Sequence, residues 1–133
     1  MKNVRGSFGL ILASALLGAL GCGDPTSPGI QPEIVNAPDS FSYQVSAIQD
    51  YSATASYPWQ NGGTQANVNQ ACSMTGGVAT LVILDANGTQ VYSRSLADNG
   101  TFTTSSGVAG TWTVRIVYQH TSATVNFRAD KTT

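Results

Sequence analysis

Phe41-Ser42-Tyr43-Gln44-Val45-Ser46-Ala47 sets apolar side chains at every second position and polar ones between them. Successive side chains of a strand point to opposite faces, so this stretch reads as a strand with one buried and one wet face. Tyr51, Ala53, Ala55 and Tyr57 repeat the alternation until Pro58 interrupts it. The turn Asn61-Gly62-Gly63 then leads to a further strand marked by Ala66, Val68 and Cys72. Val78 to Leu84 is a continuous apolar run between Gly76-Gly77 and Asn87-Gly88, which predicts a central strand covered on both faces. Asp85-Ala86-Asn87-Gly88 and Asp98-Asn99-Gly100 are turns, with a strand from Thr89 to Leu96 between them. Gly110 opens the last pair, where Trp112, Val114, Ile116 and Tyr118 face one way and Val125, Phe127 and Ala129 answer across a loop near His120-Thr121. Arg115 and Arg128 fall on the opposite, wet faces. About seven or eight short strands separated by turns predict an all-β chain, a single antiparallel β-sandwich of jelly-roll or Ig-like kind over residues 41–130.

Composition agrees with strands and tight turns. Thr, Ser, Gly, Ala, Val and Asn dominate where Lys, Glu and Leu would fill helices. From Cys22 onward seven acids stand against four bases, a net of −3, with no basic stripe. Nucleic acid is therefore not an expected partner.

The first residues read differently. Lys2 and Arg5 precede Phe8 to Gly21, which carries no charge, and Ala19-Leu20-Gly21-Cys22 closes the run. About fourteen residues at 1.5 Å each reach about 21 Å, short of the roughly 20 residues a bilayer core needs, so residues 1–21 read as a targeting segment. The stretch resembles a bacterial lipobox, with Ala19 where the commonest form has Leu. That resemblance implies cleavage before Cys22, lipidation of Cys22 and membrane attachment through the lipid. A cut after Ala13-Ser14-Ala15, as in an ordinary secretory signal, is the alternative. In lipoproteins of enterobacterial type an Asp after the lipidated Cys retains the protein at the inner membrane. Gly23 stands there, which implies the outer membrane if the source is diderm.

Residues 22–40 hold four of the five prolines, Pro25, Pro28, Pro32 and Pro38, and read as a disordered, semi-rigid tether. An acylated Cys22 leaves Cys72 without a disulfide partner.

The strands from Asp39-Ser40-Phe41-Ser42-Tyr43, through Leu84-Asp85-Ala86-Asn87-Gly88, to Gly110-Thr111-Trp112-Thr113-Val114 and Val125-Asn126-Phe127 resemble pre-peptidase C-terminal domains. These are non-catalytic β-sandwich modules found beside secreted bacterial peptidases and glycan-active enzymes. The resemblance spans residues 39–130 and implies the fold, with a non-catalytic role by analogy.

Several residues invite chemistry. Asp85, Asn87 and Asp98 carry oxygens that suit calcium, yet the closing acids of a calcium loop are missing, and Asp and Asn more simply brace their own turns. His120 is the only histidine, and with Cys72 it is too small a set for zinc. Nucleophilic catalysis would need His120 beside Cys72 or a serine with an orienting acid, and no Gly-x-Ser-x-Gly elbow is present. No catalytic residue, metal or cofactor is assigned. Trp59 lies between Tyr57-Pro58 and Gln60-Asn61, so Tyr57, Trp59 and Asn61 form a candidate ligand-binding rim for carbohydrate, weighed against burial of the Trp59 indole in the core. Trp112 reads as core. The expected role is a membrane-anchored envelope lipoprotein that binds or assembles without catalysis, with an envelope protein or a polysaccharide as partner. A carbohydrate-binding lipoprotein and a small hydrolase are the alternatives.

Overall fold

The computed structural model describes residues 30–132. They form β1 (Glu33–Ala37), β2 (Ser40–Asn61), β3 (Ala66–Gln70), β4 (Ser73–Leu84), β5 (Gln90–Ser95), β6 (Gly100–Thr103) and β7 (Gly110–Lys131). There is no helix among them, and every pairing is antiparallel. The all-β sandwich expected from the alternating pattern is the fold found. The signal segment, Cys22 and most of the proline-rich stretch lie outside the described residues.

Two strands of 22 residues each organise the molecule, β2 and β7, paired along their whole length. A straight strand of that length would reach about 73 Å at 3.3 Å per residue, far beyond a domain of about 100 residues, whose radius of gyration is about 13 Å. Both strands therefore double back. Phe41 and Tyr57 belong to the same strand, yet their ring centroids are 5.9 Å apart. Tyr43 lies equally close to Tyr57, and its hydroxyl meets that of Tyr118 at 2.6 Å. One sheet is thus folded onto itself. The first layer comprises β1, the first half of β2, the second half of β7, β3 and β6. The second comprises the other halves of β2 and β7, with β4 and β5.

The fold line runs through residues 45–53 of β2 and 118–125 of β7, where the register slips three times. Ala47, Asp50 and His120 sit there with φ of 55°, 46° and 49°, the left-handed region that non-glycine residues rarely enter. Hydroxyls replace the ladder bonds that the bulges break. Ser122 Oγ accepts from Asp50 N at 3.0 Å, Ser52 Oγ accepts from His120 N at 2.8 Å, and Thr121 Oγ1 donates to Val78 O at 2.7 Å. These bonds satisfy backbone groups at the bulges, and neither strand ends at the bend.

The core lies between the layers and contains Phe41, Val68, Leu81, Ile83, Trp112, Val114, Ile116, Val125 and Phe127, each at most 1 % exposed. Five expectations need correction. The stretch near His120-Thr121 is no hairpin loop, because the two apolar runs flanking it belong to one bent strand. Pro58 does not end a strand: it pairs with Thr113, and its carbonyl accepts from Asn36 Nδ2, away from β7. Backbone N and C=O of one strand residue point the same way, so the missing N–H falls on the open edge, where proline is tolerated. β4 is central, between β5 and β7, but only Ala79, Leu81 and Ile83 are buried; Val78 is 47 % exposed and Val82 and Leu84 half-buried. Residues 33–37, read as tether, form β1, and β3 stops at Gln70, leaving Cys72 in the connection to β4.

Candidate functional site

Trp59 is only 1 % exposed. Its ring meets Trp112 edge-on, with centroids 6.0 Å apart, and Nε1 donates to Ala37 O at 3.1 Å. Asn61 is equally buried; its Oδ1 accepts from Gly63 N at 2.9 Å, so the amide braces its own turn. Tyr57 is half-buried between Phe41 and Tyr43. The candidate carbohydrate rim is therefore corrected: Trp59 and Asn61 face inward, because strand alternation places 57, 59 and 61 on the core side of β2. Trp112 is core as expected, and its Nε1 donates to Val108 O at 2.8 Å.

The calcium candidates do not converge. Asp85 is buried, and its carboxylate accepts from the backbone N–H groups of Asn87, Thr89 and Val108 at 2.9 Å each. The Val108 and Thr89 bonds hold its pKa below the usual carboxylate range. Asn87 is exposed, and Asp98 pairs with Arg94 at 3.5 Å. Turn bracing accounts for this loop. Among the described residues no three His, Cys, Asp or Glu side chains gather as metal ligands.

Cys72 and His120 sit in separate networks. The thiol is buried, its Sγ lies 3.5 Å from Asn126 O, and burial pushes its pKa up, which disfavours the nucleophilic thiolate. His120 is exposed on the fold line, with Nδ1 at 2.9 Å from Asp50 Oδ1. Sequence reasoning missed this contact, because 70 positions separate the two residues and only the fold-over of β2 and β7 joins them.

The less obvious feature is an edge. The first layer is five strands across and the second four, so β1 overhangs the second half of β2 with no strand opposite it. Asn36 Nδ2 reaches down to Pro58 O at 2.7 Å, and Asp39 N donates to Gln60 O at 2.8 Å. Those carbonyls mark the side of β2 that faces away from β7. By strand alternation the N–H and C=O groups of Thr54 and Ser56 point the same way, and no described strand pairs with them. Beneath them Ala53, Ala55 and Tyr57 are half-buried, whereas their partners on β7, Tyr118, Ile116 and Val114, are at most 2 % exposed. On the outer face Arg115 Nε donates to Ser56 Oγ at 3.2 Å. Among the described residues Arg94, Arg128 and Lys131 each pair with a carboxylate, and Arg115 does not.

No protein-family model matches the chain, and no curated protein matches it.

Proposed function

We propose that this chain is a lipid-anchored protein of a bacterial cell envelope that displays one folded β-sheet sandwich and works by binding or structural association, without catalysis. The observation that carries the reading is Cys22 directly after the charge-free run Phe8 to Gly21, itself preceded by Lys2 and Arg5. A multiply acylated cysteine anchors durably where one acyl chain does so only marginally. About ten residues separate Cys22 from β1, a reach of about 30 Å if proline-rich and extended. The sandwich therefore works close to the membrane surface. Gly23 after the cysteine favours the outer membrane in a diderm host.

The non-catalytic half of the proposal draws on the side chains themselves. The buried thiol of Cys72 and the exposed imidazole of His120 have different partners, and the Asp85 carboxylate is taken up by backbone donors. The likeness to pre-peptidase C-terminal domains supports the same reading by analogy. Fractionation of host cells expressing Cys22→Ser tests the anchor: the variant is expected in the soluble fraction, and its retention in membranes overturns the proposal.

A further inference from the structure

We infer that the open edge of β2 at Thr54 and Ser56 is a strand-addition site, which takes one extended peptide segment of a partner protein with small apolar side chains inward and a carboxylate outward. Main-chain hydrogen bonds of an added strand supply affinity, and alternate side chains supply selectivity. The edge offers the N–H and C=O groups of Thr54 and Ser56, which point away from β7 and which no described strand pairs. Inward, Ala53, Ala55 and Tyr57 remain half-buried where their β7 partners are fully covered. A strand in the vacant position would complete that burial. Ile34, which pairs with Tyr43 and so faces inward from β1, roofs the position.

The overhang of β1 decides what can enter. Facing sheets pack about 10 Å apart, so the edge of a second sandwich would bring its own facing strand to the place β1 already holds. A second copy of this chain is excluded on that ground, and a lone extended segment is admitted. On the outer face Arg115, paired with no described carboxylate, extends from β7 across β2 to Ser56 Oγ and so towards the incoming strand. A carboxylate at an outward position complements it.

This inference rests on the binding role proposed above but not on the lipid anchor, and its test leaves membrane attachment unread. The full-length protein in detergent is mixed with the peptide Ac-Thr-Val-Asp-Val-Thr-Val-Thr-NH2, and backbone amide exchange is followed residue by residue. At about millimolar peptide the Thr54 and Ser56 amides are expected to exchange at least about tenfold more slowly, the affinity range of a weak segment. N-methylation of alternate peptide amides is expected to abolish the effect. Arg115→Ser is expected to weaken this probe about threefold, as an exposed ion pair does, and to leave a probe with Thr in place of Asp unchanged. Unchanged exchange at both residues overturns the inference. So does protection of both amides before peptide is added, which would mean that the chain fills its own edge, or a concentration-dependent dimer that protects them.

Discussion

Replacing Gln70 with Leu should remove the polar bolt between the two layers. Gln70 is 2 % exposed, on β3 of the first layer. Its Nε2 donates to Ser95 O at 3.0 Å, at the end of β5, and to Asp98 O at 2.7 Å in the turn after it, and its Oε1 accepts from Tyr92 OH at 2.7 Å. Leucine fits the volume approximately and satisfies none of these groups. Ser95 O keeps a second donor, Asp98 N at 3.1 Å, so two groups, Asp98 O and Tyr92 OH, are orphaned. At about 1–3 kcal/mol for each buried group left unpaired they cost about 3 kcal/mol, of which apolar burial by Leu offsets about 1. The net loss of about 2 kcal/mol is a large share of the roughly 5–15 kcal/mol typical of a domain. Trp59 and Trp112, both buried, report unfolding by fluorescence. With a urea slope near 1.5 kcal/mol/M the midpoint is expected to fall by about 1.3 M. Tyr92→Phe removes one bond and should cost about 1 kcal/mol. The double variant should cost less than the sum, because the orphaned hydroxyl is gone. A Gln70→Leu loss below about 1 kcal/mol would refute the reasoning.

Other perturbations test the bend, the acid response and the core. Gly77 has φ of +70°, and a Cβ there would stand 2.0 Å from His120 O, against nothing within 4 Å at Gly88, whose φ is +82°. Gly77→Ala should therefore lose more than about 3 kcal/mol in urea titration, while Gly88→Ala loses only the left-handed strain of about 1–2 kcal/mol; equal losses would contradict the packing at the bend. The Gly62 N–H and Lys131 hold the Asp39 carboxyl below its usual pKa, and backbone N–H groups do the same for Asp85. The unfolded chain then takes up protons first as pH falls, so thermal stability should be flat above about pH 5 and decline below about pH 4. A melting temperature that rises on acidification contradicts this. Trp59→Ala should cost about 3–5 kcal/mol, as truncation of a buried indole does, and a near-neutral result would return Trp59 to the surface.

Local pattern made most of the sheet legible. Alternation at Phe41 to Val45 and at Trp112 to Tyr118 names the faces correctly, and Asp85-Ala86-Asn87-Gly88 is a turn because Asp85 braces it. What local pattern cannot hold is the continuity of β2 and β7 through the fold line. Ala47, Asp50 and His120 adopt left-handed dihedrals that only tertiary pairing sustains, so the sequence reads there as strand ends. The outer face of β4 misleads for the opposite reason: Val78, Val82 and Leu84 are apolar, yet Val78 is exposed and Val82 and Leu84 are only half-buried. Trp59 shows the same limit at the candidate site. Its neighbours Gln60 and Gly62 suggest a wet rim, and its own parity on β2 sends the ring inward against Trp112. The open edge at Thr54 and Ser56 was invisible in the sequence, because it depends on five strands lying over four.

The most direct test of the account is the intact mass of the protein extracted from its host's membranes. The account predicts a chain that begins at Cys22 and carries the added mass of acyl groups on that residue. An unacylated chain, or one that begins after Ala15, would contradict it.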